Sequence, residues 1–308
     1  MANISVAKTG KKYRNKIKLS KGEWAFEIFN YTFLTILALS CVLPFIHLLA
    51  VSFSSSAAAI QGRVGFWPVE FTLASYEFAI QGTGMIRALV VTIQRLGLGI
   101  PINMILVILA AYPLSKTDAE LPGRTVIAWV FVVTMLIGAG LIPTFLVVSA
   151  TGLRNTLWAL VLPGAVSAFH ITLLLNVFRQ LPKELEESAL MDGASQLRIL
   201  FQIYIPLSMA TLAALTLFNA VGHWNDWFSG MIYMDRRVDF PLQTYLRGMI
   251  IDRDFTLIDP DQIAMMMQIN TRTFNAAQIM IATIPILCVY PFLQRYFVKG
   301  MTLGSLKG

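Results

Sequence analysis

The sequence is short of charge. Asp, Glu, Lys and Arg make up 13% of its 308 residues, against about 25% in an average soluble domain. Hydrophobic residues make up 56%, so we expect lipid to surround most of the chain. There are only two cysteines, Cys41 and Cys288. They exclude a disulfide-rich fold, lack metal-ligand spacing and are predicted to be small apolar fillers.

Several catalytic signatures are also missing. There is no phosphate-binding loop of the Gly-x-x-x-x-Gly-Lys type, so the chain is not expected to hydrolyse ATP itself. The three histidines, His47, His170 and His223, fall in separate apolar segments and form neither a Ser-His pair nor a His-Glu-x-x-His site. These absences argue against a membrane-embedded enzyme. The sequence also lacks a soluble basic domain that could bind nucleic acid.

Long uncharged runs dominate what is present. A bilayer-spanning helix needs about 20 apolar residues, and six runs contain no Asp, Glu, Lys or Arg over that length: 28–62, 96–115, 125–153, 155–178, 199–225 and 273–294. We therefore predict an all-α membrane protein with six transmembrane helices over residues 28–298.

Basic residues predict the orientation of these spans, because Lys and Arg tend to stay on the cytoplasmic side. The leader, residues 1–27, carries seven of them outside the apolar run and is placed in the cytoplasm. Six crossings also put the tail, residues 299–308, inside, and every lysine then falls on that side. The first apolar run exceeds the about 7–15 residues of a signal peptide and is interpreted as a retained anchor.

A charged stretch between the fourth and fifth spans interrupts the apolar sequence. Pro182 suits the first turn of a helix, and the glutamates that follow it lie near the positive end of the helix dipole. Gly193 suits a left-handed helix end, and Ser195 suits the N-cap of a second helix. We predict a short cytoplasmic helix, about 182–193, bent around Gly193 into the fifth span.

Residue spacing predicts the two faces of this short helix. The bundle-facing side would carry Leu181, Leu185 and Ala189, and the opposite side Glu184, Glu187 and Met191. The outer side is then an acidic, partly apolar ridge. It would either contact another protein or belong to a helix that simply caps the bundle.

The same stretch carries a family resemblance. The run Glu187-Ser188-Ala189, then Gly193, Ile203 and Ile205-Pro206, resembles the EAA motif of binding-protein-dependent ABC importer permeases. Every spacing matches, with Ser188 in place of an Ala and Ile205 in place of a Leu. Segments 155–159, 224–228 and 299–308 resemble the maltose-transporter-type sugar permeases. Segments 137–143 and 241–243 are most similar to a subgroup for oligosaccharides cut from polysaccharides, such as alginate or polygalacturonate.

The resemblance implies a set of partners. It implies a second, related permease subunit, an extracytoplasmic solute-binding protein and two cytoplasmic ATPase subunits that hold ATP and Mg, all at the bacterial plasma membrane. The short helix would be the coupling helix that docks on an ATPase, through Glu184, Glu187, Ser188, Ala189, Asp192, Gly193 and Ala194. The external loop, about 231–272, would face the binding protein. The tail would either contact the ATPases or fray near anionic lipid.

Polar residues inside the spans are candidates for a sugar path, because such groups usually face the bundle or a water-filled route. They are His170, Asn219, His223, Trp224, Asn225, Trp227 and Tyr290, with Gln278 and Arg95 as further candidates. Hydrogen bonding between helices explains any one of them equally well. Arg95 would either reach the surface or be paired within the bundle.

The predicted function is transmembrane permease subunit of an ATP-driven importer that moves a sugar, with an oligosaccharide expected, into the cytoplasm. Two alternatives remain: a subunit of an ion-coupled secondary carrier, for which Asp226 alone offers an intramembrane carboxylate, and an ABC permease for a non-sugar solute.

Overall fold

The computed structural model describes residues 20–81, 83–251 and 270–304, and every regular element in these ranges is a helix. Most of the predicted leader, residues 252–269 of the predicted external loop, and the last four residues of the tail lie outside this part. The helices are α1 (Lys21–Ser52), α2 (Ser56–Ile60), α3 (Ala74–Gln81), α4 (Thr83–Ser115), α5 (Arg124–Leu136), α6 (Leu141–Ala150), α7 (Leu157–Val161), α8 (Ala168–Arg179), α9 (Lys183–Met191), α10 (Gln196–Ile199), α11 (Ile205–Leu207), α12 (Met209–Asn225), α13 (Phe228–Tyr233), α14 (Leu242–Ile250) and α15 (Thr271–Gly304).

The first helix begins earlier than its uncharged run. Ser20 accepts the backbone N–H of Glu23, and the Glu23 carboxylate accepts the N–H of Ser20 at 2.7 Å. This capping box sets the start of α1 at Lys21. Cys41 and Cys288 are both exposed on this chain, and their role as small apolar fillers within spans stays a prediction.

Three of the predicted spans are bent. The helix pairs α5/α6, α7/α8 and α10–α11/α12 meet at 114°, 50° and 82°. The run 125–153, predicted as one span, breaks at Gly140, whose φ of +82° favours glycine,. The second break, at residues 165–167, follows Pro163 closely, and the third lies at Ser208.

The described residues account for two to five spans. Helices α1 and α4 are long and apolar enough to cross a bilayer alone, and counting each bent pair as one span raises the number to five. The sixth predicted span, 273–294, lies within α15. The count of six stays a prediction.

Helix α4 is shared by the two largest hydrophobic clusters. Near its C-terminal end, Val107 and Ala111 pack with residues of α8, α10 and α12. Near its N-terminal end, Met85 and Ala88 pack with residues of α12, α14 and α15. The helix therefore connects the part of the fold around α9 with the part around α13 and α14.

Candidate functional site

Helix α9 and the turn after it have the predicted local geometry. Gly193 has φ +76°, its N–H bonds the carbonyl of Leu190 at 3.0 Å, and the N–H of Ala194 bonds the carbonyl of Ala189 at 2.9 Å. These bonds satisfy carbonyls at the end of α9. Ser195 then caps α10 by accepting the N–H of Arg198. The left-handed glycine and the serine cap were both predicted correctly.

The exposed face of α9 carries most of the residues that were predicted to dock on an ATPase subunit. Met191 is 88% exposed. Glu184, Glu187, Ser188, Asp192 and Gly193 are exposed as well, whereas Ala189 and Ala194 are half-buried against the core. The structure thus brings the predicted acidic ridge together on one surface. Its contact with an ATPase stays a prediction.

The buried face of α9 differs from the predicted one. Leu185, expected to face the bundle, is 41% exposed, and Glu186 is buried instead. Its carboxylate pairs with the ammonium group of Lys116 and accepts the Tyr204 hydroxyl at 2.5 Å. Only the assignment of Leu185 was wrong, since Leu181 and Ala189 pack against the core as predicted. Glu186 can be buried there because a cation from outside the helix pairs with its carboxylate,.

Aromatic rings complete the surroundings of this ion pair. The Lys116 ammonium nitrogen lies 4.2 Å from the ring centroid of Tyr112 and 4.8 Å from that of Tyr204. Both distances are within the range of cation–π attraction. The Tyr112 hydroxyl donates to Oε1 of Gln196 at 2.6 Å. Residues of α4, α9, α10 and the segment before α11 therefore meet at this group.

A charged cavity of about 420 Å³ lies beside the pair. It contains both signs of charge, from Lys116, Asp118, Glu120, Arg124, Arg179, Lys183, Glu186 and Glu187. At its rim, the backbone N–H and hydroxyl of Thr117 bond Glu120 at 2.7 and 2.8 Å and lower the pKa of that carboxyl. The cavity thus opens beside the ridge and keeps an ionised rim.

Two of the predicted path residues share a buried polar cluster. The side-chain amide of Asn103, on α4, donates to Oδ1 of Asn219 at 3.2 Å and lies 3.3 Å from Nε2 of His223. The backbone of Gly99 lies against the same imidazole ring. His170 is elsewhere: its ring lies 6.3 Å from that of Phe218. Asn103 could not be connected with these residues from the sequence, because a single Asn within a span forms no periodic pattern.

The remaining path candidates are scattered. Trp224 is buried, and its indole N–H donates to the carbonyl of Ala282 at 3.2 Å, whereas Asn225 is exposed. Tyr290 lies on α15, with its side chain outside the described part. Trp227 lines a cavity of about 500 Å³ together with Gln243, Leu246, Arg247, Ile250, Ile251, Ile279, Ala282 and Thr283.

Trp227 is held at its backbone and at its ring. The backbone carbonyl accepts the hydroxyl of Thr244 at 2.8 Å, and the guanidinium of Arg247 lies 3.8 Å from the ring centroid. Gly230 allows this arrangement, because a Cβ there would collide with Thr244 and Pro241. The cavity therefore combines a fixed aromatic ring with a positive charge.

Arg95 is paired within the bundle. Its Nη2 lies 2.5 Å from Oδ2 of Asp226, and its Nη1 donates to the Asp226 carbonyl at 3.2 Å. The second carboxylate oxygen accepts the N–H groups of Phe228 and Ser229 and so caps α13,. Of the two positions left open for Arg95, the structure shows the paired one.

Comparison with known proteins gives close relatives. No family model matches. The chain is 38% identical over 283 residues to the polygalacturonan/rhamnogalacturonan transport system permease protein YtcP of Bacillus subtilis, covering 92% of this chain and 98% of that protein. It is 37% identical to protein LplC of the same organism, covering 94% and 97%.

A solved structure is similar over almost its whole length. A chain of a bacterial ABC transporter involved in the import of the acidic polysaccharide alginate superposes with a TM-score of 0.84 at 33% identity, covering 91% of this chain and 99% of that one. These relatives and the EAA-type turn around Gly193 show that the chain belongs to the family of ABC importer permease subunits that serve sugar and polysaccharide transport.

Proposed function

We propose that the chain is the transmembrane permease subunit of an ATP-driven importer that moves an oligosaccharide from an extracytoplasmic binding protein into the cytoplasm. One observation carries the proposal. The exposed ridge of α9, with Glu184, Glu187 and Met191, lies on a helix that ends before the left-handed Gly193. From there the chain runs through α10, α11 and an 82° bend into α12. A partner that moves this ridge would move the spans behind it.

The proposed assembly follows from the family. It has a second permease subunit beside this one, two cytoplasmic ATPase subunits that bind ATP and Mg, and a solute-binding protein outside. The chain would cross the bacterial plasma membrane six times with both termini in the cytoplasm, which puts α9 and its charged cavity on the ATPase side. Glu187 would meet a basic residue of the ATPase, and Gly193 and Ala194 would allow close approach of the two backbones.

The proposed cargo is an acidic oligosaccharide. The relatives with the highest identity described above include a permease for polygalacturonan and one for alginate. In this chain, the cavity beside Trp227 joins an aromatic ring to the Arg247 guanidinium. Sugar rings pack on aromatic faces, and a guanidinium binds carboxylates, so this cavity suits a uronate unit better than a neutral sugar.

The structure argues against the alternative of an ion-coupled carrier, because the candidate ligand for a coupling ion is already bonded within the chain. Asp226 was the one carboxylate near a span that could bind a coupling ion. In the structure, one of its oxygens pairs with Arg95 and the other accepts two backbone N–H groups. A carboxylate in such use has little capacity left for a cation. The bonding of Asp226 therefore favours an importer driven by ATP hydrolysis on partner subunits over an ion-coupled carrier.

The test is substitution in the reconstituted transporter. Glu187→Arg or Gly193→Arg should abolish sugar uptake and separate it from ATP hydrolysis, because each change places a bulky cation on the docking surface. Insertion into the membrane should be unchanged. Arg63→Met, in an exposed ion pair with Glu70, is the matched control and should transport normally. Normal uptake by both Arg variants would defeat the proposal.

A further inference from the structure

We propose that Lys116 and Glu186 form the joint that transmits movement of α9 to α4. The proposal rests on the proposed function, since it concerns how a motion driven at the α9 ridge reaches the transport path. It assigns a positioning role to two residues whose side chains are buried behind the ridge. The pair joins Lys116, the residue directly after α4, to Glu186 of α9, and the two residues are 70 positions apart in the sequence.

The pair is built for a tight connection. Both side chains are only 10% exposed, so water screens their attraction little. The second oxygen of Glu186 accepts the Tyr204 hydroxyl at 2.5 Å, and Lys116 is enclosed by the Tyr112 and Tyr204 rings. Separating α9 from α4 would strand a buried charge on each side. The two helix ends are therefore expected to move together.

Helix α4 continues from this joint to the polar groups of the bundle. Asn103, on the same helix, bonds Asn219 and lies beside His223 of α12. Arg95, farther along, pairs with Asp226 at the start of α13. At a rise of 1.5 Å per residue, the joint and Arg95 are about 30 Å apart along the helix. A shift of Lys116 thus has a continuous covalent route to the candidate sugar path.

A second route leaves the same joint through Tyr204. That residue ends a five-residue π-helical segment, Leu200–Tyr204, which precedes the 82° bend into α12. Such π segments are irregular places in a helix and often occur at functional sites. The single carboxylate of Glu186 therefore bonds both Lys116, directly after α4, and Tyr204, in the segment leading to α12. Asn103 lies on α4 and His223 on α12.

The experiment uses the complete transporter in proteoliposomes and measures sugar imported per ATP hydrolysed. For Glu186→Gln we expect ATPase subunits to co-purify as in the wild type and ATP hydrolysis to continue. The sugar-to-ATP ratio should fall about tenfold, within the range of allosteric coupling constants. Lys116→Arg, which keeps the charge and its stacking on the rings, should retain most of the ratio. The matched control is Arg63→Met, which removes an exposed ion pair and should leave the ratio unchanged.

A variant in which the two charges are exchanged separates loss of the ion pair from misfolding. If Glu186→Gln does not assemble, the double variant Lys116→Glu with Glu186→Lys decides, because it restores opposite charges at the same place. Recovery of both assembly and the sugar-to-ATP ratio supports the joint. A normal ratio in Glu186→Gln, or uptake and hydrolysis lost in equal proportion, overturns it.

Failure of the proposed function would look different. In that case the wild-type chain itself would bind no ATPase at α9, and no ratio could be defined. If the ATPase does contact α9 and the ratio is indifferent to Glu186→Gln, only the joint is wrong. Cross-linking through a cysteine at the exposed Met191, in a variant lacking Cys41 and Cys288, separates the two results.

Discussion

Arg95 and Asp226 lie 131 residues apart in the sequence, and their charged groups meet at 2.5 Å. The arginine is only 3% exposed, and the aspartate also caps the helix that carries Gly230 and Tyr233. One ion pair therefore fixes the start of α13 against α4. Because Trp227 directly precedes α13 and lines the cavity of about 500 Å³, the pair also fixes one wall of that cavity.

We expect Asp226→Asn to destabilise the chain. The substitution leaves the Arg95 charge buried without its counter-ion, a change that costs about 3 kcal/mol in comparable pairs. Chemical unfolding of the purified chain in detergent measures the loss. Glu70→Gln, which breaks the exposed pair with Arg63, is the control and should cost less than about 1 kcal/mol. Equal losses in the two variants would contradict the assigned role of Asp226.

Two glycines of α4 should respond differently to alanine. At Gly99 a Cβ would lie 2.6 Å from Nε2 of His223, whereas at Gly97 it would meet nothing within 4 Å. Gly99→Ala should therefore displace the imidazole ring and cost about 1–3 kcal/mol. Gly97→Ala should be neutral or stabilising by up to about 1 kcal/mol. The same unfolding measurement on both variants checks the contrast, and a harmless Gly99→Ala would show that the ring does not pack there.

The effect of a substitution at Gly193 should depend on how readily the new residue adopts a positive φ. Its φ of +76° costs an ordinary L-residue about 1–2 kcal/mol, while Asn adopts this region more readily,. We expect Gly193→Asn to keep sugar uptake and Gly193→Val to lose it, with faster hydrogen exchange at the end of α9. Gly222→Ala, in open space on α12, is the control. Equal uptake by the Asn and Val variants would show that the left-handed conformation at residue 193 is not required for transport.

Acid should weaken the contact between Asp235 and the α6–α7 connection. Hydrogen bonding from Asn155, at 2.8 Å, and the nearby charge of Arg154 hold the pKa of the Asp235 carboxyl below its usual range. A lowered folded-state pKa stabilises the fold above the unfolded pKa and loses this effect as pH falls through the folded one.

The check compares melting temperatures of wild type and Asp235→Asn. The variant should melt at a lower temperature at neutral pH, and the difference should shrink as the pH falls below about 4, the ordinary pKa of an Asp carboxyl. Glu77→Gln, whose carboxylate has no ion pair among the described residues, should show no such trend. A difference that stays constant with pH would mean that Asp235 acts through packing alone.

Local features of the site could be predicted from the sequence, and pairings between helices could not. The conformations of Gly193 and Ser195 can be predicted locally, because a left-handed turn and an N-cap depend only on adjacent residues. The burial of Glu186 depends on Lys116, which lies 70 residues away. Helical periodicity assigned Leu185 to the core because it counts apolar residues and has no information on a distant cation.

The sequence contains helix-breaking residues at a bend that was not predicted. The uncharged run at 125–153 was predicted as one helix, although Gly138 and Gly140 lie at its centre. Absence of charge reports the solvent around a segment, and it carries no information on whether the backbone continues straight. Asn103 shows the same limit on the polar side, since only the fold brings it to His223.

Two prolines lie within α4, Pro101 and Pro113. Proline has no N–H to donate, so the helical ladder leaves the carbonyls of Gly97 and Leu109 unpaired at those turns. The helix can flex at these places without giving up another backbone hydrogen bond. Its middle stretch, which carries Asn103, is thus hinged at both ends, and a tilt imposed at one terminus need not shift the other by an equal distance.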